Sequence, residues 1–308
     1  MDKINKDIFS DRIKKVRNLM AKNNVDAYLI PMSDPHGSEM LDAHYHEISF
    51  LTGFTGSAGD VLITKDEGFL WTDSRYFLQA AEQLPPEIKL MKLGYEDTEL
   101  YDKLIHRYNK AGTINTLAVD MGVYTTSAFS VLSNVHSAKP TSSSSPNCDT
   151  GLKIIDCNFI EKIWENRPPV KSNPIIDLDI SISGESTSSK LSRVQEEMKK
   201  NGADYYFVSA LDDVAWFFNK RGSDFDDSPL FYAYALISLS GAKLYTLRNQ
   251  TYNDVYQALQ NLPRNAKLIL DPTTTPCRVL EYVEHIAKTI EAPSLIESLK
   301  AIKNEVEL

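Results

Sequence analysis

The stretch VRNLMAKNNVDAY at residues 16–28 recurs at residues 194–206 as VQEEMKKNGADYY. Six of its 13 positions are identical, and each identical pair is 178 residues apart (194 − 16 = 178; 206 − 28 = 178). Solenoid repeats have periods of about 20–50 residues, so this spacing instead predicts a duplicated domain. The identical residues of the first copy are Val16, Met20, Lys22, Asn23, Asp26 and Tyr28.

The similarity continues beyond this stretch. Residues 62–64 (LIT) match residues 236–238 (LIS), and residues 70–72 (LWT) match residues 244–246 (LYT). In the first copy these segments predict an antiparallel hairpin that turns at Gly68 and follows a buried strand. Each copy is therefore expected to place a helix, a strand and a hairpin in the same order. Gly56-Ser57 also matches Gly222-Ser223.

Polar residues before three apolar segments are candidate helix N-caps, because a short side-chain oxygen can accept a hydrogen bond from the first turn. A further helix is predicted at residues 98–111, with Gly112 as its C-terminal glycine. The candidate caps are Ser10 or Asp11, Asp73 or Ser74, and Asp212 or Asp213.

The composition is typical of a globular protein. The chain has 308 residues, of which 42% are hydrophobic and 24% charged, and its formal net charge is −9 at pH 7. This length corresponds to about two domains. Nucleic-acid binding depends on clustered Lys and Arg, so no nucleic-acid partner is expected for this acidic chain.

The first residues, MDKINKD, are charged and contain no signal-peptide core, and no apolar run approaches the length of a membrane span. A cytoplasmic protein without membrane association is therefore expected. Cys148, Cys157 and Cys277 lack metal-ligand and redox spacings, so reduced thiols are expected.

Two low-complexity stretches divide the chain. Residues 165–174 (ENRPPVKSNP) predict a semi-rigid interdomain linker, and residues 139–147 (KPTSSSSPN) predict a solvated surface loop. The segment after Pro293 is amphipathic and stops without a cap or a following element, which favours a chain cut at a domain border. The expected domains are residues 1–164 and 175–295, and residues 296–308 are expected to begin a connection to a further domain.

The loop GFTGSAG at residues 53–59 has the closely spaced glycines of an anion-binding loop, but it lacks the Lys-Ser/Thr that completes a P-loop. Ser57 does not fit a nucleophile elbow, because Thr55 stands where a glycine is required. A tight loop leading into the strand at Val61 is the expected structure.

His36, His44 and His46 lie near acidic residues, so a metal site is one alternative. They lack the His-Glu-x-x-His pattern that places two ligands on one helical face, and solvated or interface-facing histidines are expected. The adjacent aspartates at 212–213 and 226–227 are expected to cap helices or form turns. Their carboxylates are not expected to point together.

Five segments resemble the N-terminal region of the eukaryotic-type cytosolic X-prolyl aminopeptidases, also called aminopeptidases P. They are spread over both copies and the region between them. The segments are PMSDPHGSE (31–39), FLTGFTGSAG (50–59), WTDSRYFLQA (71–80), IWENRP (163–168) and ALDDVAWFFNKRGSD (210–224).

This resemblance implies two tandem α/β domains of the creatinase N-terminal type, each a three-layer α/β/α arrangement with a mixed, ribonuclease-H-like sheet. Three-domain members of the family continue into a pita-bread catalytic domain, where two divalent metal ions, usually manganese, serve hydrolysis of the bond before proline. That domain is expected to be missing here, so neither metal binding nor activity is expected of this chain alone. The implied partners are the catalytic domain of the same polypeptide, a peptide with proline at its second position, and a second subunit in a homodimer.

Arg75 is the candidate site residue. On spacing alone it is an ordinary surface arginine, paired with Asp73 at the corner between a strand and a helix. In the family, however, the arginine of the Trp-Thr-Asp-x-Arg-Tyr motif contacts the substrate, and residues 71–76 match this motif. The resemblance therefore implies that Arg75 binds a peptide carbonyl or carboxylate.

A standalone two-domain binding module, or a pseudoenzyme, is the alternative function, because a cleft between two α/β domains can hold a small molecule or a peptide. A pure assembly scaffold is a third alternative. The open reading frame discriminates between the first two: continuation beyond Leu308 favours the peptidase, and a natural stop favours the pseudoenzyme or binding module. A scaffold would show stable association without any ligand.

Overall fold

The computed structural model describes residues 3–134, 151–247 and 252–308. The predicted surface loop at 139–147 and Cys148 lie outside these residues. The chain divides into two compact units, and unit 2 includes two short segments from the first half of the sequence. Unit 1 comprises residues 1–33, 43–124 and 128–169, and unit 2 comprises residues 34–42, 125–127 and 170–308.

Unit 1 contains a mixed sheet of six strands. They are β1 (Ala27–Pro31), β2 (Asp60–Thr64), β3 (Gly68–Thr72), β4 (Ile88–Lys92), β5 (Thr116–Val119) and β6 (Lys153–Asp156). Their spatial order is β4-β3-β2-β1-β5-β6, in which the pairs β1–β2 and β2–β3 are antiparallel and the others are parallel. The helices of this half of the chain are α1 (Lys3–Lys22), α2 (Glu47–Thr52), α3 (Phe77–Gln83), α4 (Tyr101–Lys110) and α5 (Thr126–Asn134).

Unit 2 contains a mixed sheet of five strands and a separate pair of short strands, β7 (Ile176–Asp177) and β9 (Lys220–Arg221). The five strands are β8 (Tyr205–Val208), β10 (Ala233–Ser238), β11 (Gly241–Thr246), β12 (Ala266–Leu270) and β13 (Ala287–Glu291). Their order is β11-β10-β8-β12-β13. The helices are α6 (Ile180–Ser183), α7 (Thr187–Lys200), α8 (Leu211–Phe217), α9 (Tyr252–Gln260), α10 (Cys277–Val283) and α11 (Leu295–Ala301).

Helices cover both faces of the unit 2 sheet. Successive side chains of a strand point to opposite faces, and the neighbours Tyr206 and Phe207 belong to different core clusters. Tyr206 packs in the cluster that contains residues of α7, α8 and α11, whereas Phe207 packs with residues of α9 and α10. In unit 1, Tyr28 packs with residues of α1 and α2, and Trp71 contacts Tyr101 of α4. The predicted pair of α/β domains with mixed sheets is confirmed.

The duplication is confirmed by strand register. Tyr28 pairs with Ile63 across an antiparallel ladder, and Tyr206 pairs with Ile237 in the same way. Each tyrosine-bearing strand also has a parallel neighbour on its other side. The other repeated apolar residues lie on the preceding helix of each unit and are at most 1% exposed: Val16, Met20, Val194 and Met198.

A network of buried and half-buried polar side chains lies just beyond the last strand of the unit 1 sheet. Asn158, which follows β6, donates from Nδ2 to Glu47 Oε1 at 2.8 Å and to Asp120 Oδ2 at 2.9 Å. Its Oδ1 accepts from the Tyr28 hydroxyl at 3.4 Å. Arg167 donates from Nη2 to Glu47 Oε1 at 2.7 Å. This network joins the first residue of α2 to the chain beyond the last strand.

Unit 2 repeats this network with different residues. Ser294, which follows β13, donates from Oγ to Asp213 and from its backbone N–H to Asp271 Oδ2 at 3.1 Å. The Tyr206 hydroxyl lies 3.0 Å from Ser294 Oγ. Lys300 donates from Nζ to Asp213 Oδ1 at 2.8 Å. We call the pairs Glu47–Arg167 and Asp213–Lys300 the carboxylate–cation clamps.

Two predicted helix starts are wrong. Helix α1 begins at Lys3, and Ser10 lies inside it with its hydroxyl bonded to the Lys6 carbonyl oxygen at 3.1 Å. A serine inside a helix can satisfy its hydroxyl in this way without capping anything. Helix α8 begins after Ala210, which has no side-chain oxygen to cap it, and Asp212 and Asp213 lie inside its first turn. Helix α11 does have an N-terminal cap, because Ser294 Oγ accepts from two of its backbone N–H groups.

The clamp in unit 1 predicts an unequal response to two arginine substitutions. The side chains of Arg167 and Glu47 are only 12% and 10% exposed, whereas those of the Arg107–Glu99 pair are 57% and 31% exposed. Arg167→Ala removes the hydrogen bonds to the buried Glu47 carboxyl and to the His44 carbonyl oxygen and should lower the free energy of unfolding by ~2–3 kcal/mol. Arg107→Ala should lower it by less than ~1 kcal/mol. Chemical denaturation of both variants measures the difference, and equal effects would contradict the clamp.

Glu47 predicts a pH dependence of stability. Burial raises the pKa of Glu47 to about 7, although Arg167 and the Asn158 hydrogen bond lower it. A carboxyl whose pKa is higher in the folded state contributes stability below its unfolded pKa, and this contribution is lost as the pH rises through about 7. The unfolding free energy of wild type minus that of Glu47→Gln should therefore fall by roughly 3 kcal/mol between about pH 4.5 and 7.5, because the glutamine resembles the protonated carboxyl and does not ionise. A difference that stays constant over that range would refute this account.

Candidate functional site

The corner between β3 and α3 presents Arg75. Asp73 Oδ1 accepts the backbone N–H of Arg75 at 3.0 Å, and the Tyr76 N–H donates to the Asp73 carbonyl oxygen at 3.1 Å. These bonds form a turn before the helix starts at Phe77, so the predicted cap by Asp73 or Ser74 is wrong. The Asp73 carboxylate instead stabilises the turn by accepting the Arg75 backbone N–H, which is a common role of Asp side chains.

Arg75 lies where the sequence predicts, between the strand and the helix. Its side chain is 65% exposed and makes a two-point contact with Asp73, from Nε to Oδ1 at 2.9 Å and from Nη2 to Oδ2 at 2.8 Å. These hydrogen bonds lower the pKa of the Asp73 carboxyl. The guanidinium carbon also lies 5.1 Å from the centre of the Tyr76 ring. Asp73 and Tyr76 therefore hold the guanidinium in one orientation at the surface.

The loop at residues 53–59 lies against the same corner. Thr55 Oγ1 accepts hydrogen bonds from Gln79 at 2.8 Å and from Gln83 at 2.9 Å, both on α3. The Ser57 hydroxyl lies 2.6 Å from the Tyr76 hydroxyl. The loop and the start of α3 thus form one polar surface around Arg75, which we call the Arg75 surface.

The glycines of this loop are explained by close packing. A Cβ on Gly56 would lie 2.3 Å from the Phe54 ring, and one on Gly59 would lie 2.7 Å from the Trp71 carbonyl oxygen. Both distances are shorter than any real contact of a Cβ atom, so only glycine fits. The predicted tight loop leading into β2 is confirmed.

The structure divides the three histidines between the two units. His36 belongs to unit 2, whereas His44 and His46 belong to unit 1. The His36 ring is 3% exposed, with Nδ1 2.8 Å from the Ser209 carbonyl oxygen and Nε2 2.9 Å from the Tyr252 hydroxyl. Burial lowers the pKa of His36. His44 uses Nδ1 to donate to the Pro168 carbonyl oxygen at 2.7 Å.

The prediction of solvated or interface-facing histidines is wrong for His36 and holds for His46. His36 is a buried structural residue that fixes the segment 34–42 within unit 2, and His44 fixes the start of the proline-rich stretch; His46 is exposed. Across residues 3–134, 151–247 and 252–308, no group of three or more His, Cys, Asp or Glu side chains is arranged to hold a metal ion. Cys157 and Cys277 are not joined in a disulfide.

Of the two acidic pairs, Asp212–Asp213 differs from the prediction. Asp212 and Asp213 are adjacent, yet both carboxylates contact the Lys300 ammonium group. A long flexible lysine from α11 can reach between them, so neighbouring carboxylates need not diverge. Asp226 instead forms an exposed ion pair with Lys171 at 2.7 Å. Neither pair has the arrangement of a catalytic acid and base.

None of the helices that the structure describes combines the length and the apolar character needed to cross a membrane.

Comparison with known proteins identifies the family of both halves. A family model described as Creatinase/Prolidase N-terminal domain matches residues 12–147, and a second model with the same description matches residues 166–307. A probable Xaa-Pro aminopeptidase P of Laccaria bicolor is 32% identical over 97% of this chain and 48% of its own length. The Xaa-Pro aminopeptidase 1 of Dictyostelium discoideum is 31% identical over 97% of this chain and 50% of its own length.

A solved structure extends this likeness to the fold. The crystal structure of the X-prolyl aminopeptidase from Caenorhabditis elegans, described as a cytosolic enzyme with a di-nuclear active site, matches with a TM-score of 0.82 and 26% identity. The match covers 97% of this chain and 52% of that one. The chain therefore spans about half the length of the relatives it matches. The chain is a creatinase/prolidase N-terminal-domain region related to the Xaa-Pro aminopeptidases.

Proposed function

We propose that this chain is the non-catalytic N-terminal region of an X-prolyl aminopeptidase, a metallopeptidase that releases the residue preceding proline. The observation that carries the proposal is the coverage: relatives named as such enzymes match 97% of this chain with only about half of their own length. Both halves match models of an N-terminal domain. The peptidase chemistry is therefore assigned to the other half of the relatives.

We further propose that residues 1–164 and 175–295 are the two domains, residues 165–174 their linker, and residues 296–308 the start of the connection to the catalytic domain. The described residues offer no set of ligands that fits a metal pair. Two divalent ions, with manganese the proposed metal, would be bound by the catalytic half, in keeping with the di-nuclear active site described for the Caenorhabditis elegans enzyme. The proposed setting is a cytoplasmic homodimer acting on peptides with proline at the second position.

The proposed contributions of this region are substrate binding, with Arg75 as the contacting residue, active-site capping and assembly. Two observations support a role for the Arg75 guanidinium. It is 65% exposed, so a ligand can reach it, and Asp73 holds it in a fixed orientation. A preorganised fork of N–H donors suits a peptide carbonyl or carboxylate and loses little conformational entropy on binding.

This chain alone should neither hydrolyse X-Pro peptides nor bind two divalent ions, because the groups for that chemistry are assigned to the other half. Calorimetric titration with manganese and an activity assay on an arginyl-prolyl peptide test this. The matched control is the complete reading frame, which should be active with the metal. Turnover together with tight stoichiometric metal uptake by residues 1–308 would refute the proposal.

In the full-length protein, Arg75→Ala should lower kcat/KM by about 10–150-fold, the equivalent of losing one charged hydrogen bond of ~1.5–3 kcal/mol. The melting temperature should hardly change, because the Arg75–Asp73 pair is exposed. Arg107→Ala is the matched control, since Arg107 is similarly exposed and makes the same two-point contact with Glu99. Unchanged kinetics in Arg75→Ala would reject a substrate role. Loss of activity with a large fall in melting temperature would indicate a structural role.

A further inference from the structure

The Asp73 carboxylate occupies one edge of the Arg75 guanidinium group. Asp73 Oδ1 accepts from Arg75 Nε at 2.9 Å, and Asp73 Oδ2 accepts from Arg75 Nη2 at 2.8 Å. Two parallel hydrogen bonds of this kind are the geometry in which an arginine binds a carboxylate. A ligand carboxylate that approaches this edge therefore meets one that is already in place.

Asp73 is held at this edge by the turn as well as by the guanidinium. Its Oδ1 atom also accepts the Arg75 backbone N–H at 3.0 Å. The hydrogen bonds from Arg75 lower the pKa of the Asp73 carboxyl, so this group is ionised at neutral pH. A ligand that displaced Asp73 would have to replace its contacts with both the backbone and the side chain of Arg75.

The charges on the Arg75 surface are balanced. Arg75 and Asp73 contribute one charge of each sign, and the other side chains that build this surface are neutral. A carboxylate gains little from such a set, because repulsion by Asp73 offsets attraction by Arg75. A neutral carbonyl oxygen can still accept a charge-assisted hydrogen bond from the guanidinium. The neutral side chains are Thr55, Ser57, Tyr76, Gln79 and Gln83.

The geometry of the guanidinium also suits a single acceptor atom. Nε and Nη2 face Asp73, which places Nη1 on the far side of the planar group. The guanidinium carbon lies 5.1 Å from the centre of the Tyr76 ring. A carbonyl oxygen needs only one N–H donor, so it can bind this 65% exposed side chain while Asp73 stays in place.

We propose that Asp73 is a specificity-determining residue, which makes Arg75 bind a peptide carbonyl oxygen and disfavour a terminal carboxylate. This inference rests on the proposed function. The favoured substrates are X-Pro peptides whose chain continues past the oxygen that Arg75 contacts, and peptides that end there in a carboxylate are disfavoured. A repulsive group directed at the unwanted ligand is a general means of obtaining specificity.

Paired peptide acids and amides test this selectivity in the full-length protein. The substrates are arginyl-proline and its carboxamide, and arginyl-prolyl-proline and its carboxamide. Within each pair, only the charge and hydrogen-bonding character of the last group differ. For the pair whose last group reaches Arg75, the amide should have the higher kcat/KM. Two peptide lengths are used because they place the last group at two different distances from the scissile bond.

Asp73→Asn should reduce this preference for the amide. The asparagine keeps an acceptor for the Arg75 backbone N–H and removes the negative charge. The amide-to-acid ratio of kcat/KM should fall at least ~3-fold, the effect of two unit charges about 6 Å apart in water. Glu99→Gln is the matched control, since Glu99 makes the same two-point contact with Arg107. It should leave both ratios unchanged.

The possible outcomes separate this inference from the proposed function. Hydrolysis by Asp73→Asn with unchanged ratios for both pairs would overturn the inference and leave the proposed function intact. An equal fall of kcat/KM on acids and amides, together with a lower melting temperature, would also overturn it, because Asp73 would then have a purely structural role. Absence of X-Pro hydrolysis by the unsubstituted protein would refute the proposed function, and the inference with it.

Discussion

A buried carboxylate held by a cation is the constraint on which both units depend. Glu47 stands at the start of α2, and Arg167 lies beyond the last strand of the same unit, 120 residues later. Both side chains are largely removed from water, so the charged form of each depends on the other for its stabilisation. The clamp thereby joins the first part of the domain to the chain that leaves it. Asp213 and Lys300 do the same for unit 2, where Lys300 belongs to α11.

The clamp in unit 1 also sets the framework for the Arg75 surface. Helix α2 starts at the clamped Glu47 and ends at Gly53, which adopts a left-handed conformation with φ of 77°. From there the loop 53–59 crosses to α3 and bonds to it through Thr55 and Ser57. Arg75 is consequently presented from a corner whose neighbours are fixed by packing and hydrogen bonds. An arginine on a rigid corner is better suited to binding a ligand than one on a mobile loop, because less conformational entropy is lost when the ligand binds.

The sequence predicts the repeat, the hairpins and the position of Arg75, because these depend on local pattern. It does not predict the clamps, although a signal was present. Glu47 and Asp213 are 166 residues apart (213 − 47 = 166), the same separation as Gly56 and Gly222 (222 − 56 = 166). A search for identical residues misses this correspondence, because each position has a different residue with a similar role in the two copies. The acid is Glu in unit 1 and Asp in unit 2, the cation is Arg or Lys, and the bridging polar residue is Asn or Ser.

Other failures have two origins: a local hydrogen bond at Ser10, and long-range contacts at Asp213 and His36. Ser10 and Asp213 have the residue types of N-caps, but other partners satisfy them: a carbonyl oxygen within the helix for Ser10, and a distant lysine for Asp213. The sequence predicts a solvated or interface-facing His36. In the structure it forms hydrogen bonds with Ser209 and Tyr252, which are 173 and 216 residues away. No local pattern specifies partners at such distances.

The central claim is that this region forms part of a peptidase and brings Arg75 to its substrate. A structure of the full-length protein with a non-hydrolysable X-Pro peptide bound tests this most directly. The account predicts a guanidinium nitrogen of Arg75 within about 3 Å of a peptide oxygen, from the same or a neighbouring subunit. A bound peptide whose oxygens contact only the catalytic half, with Arg75 remote from it, would contradict the account.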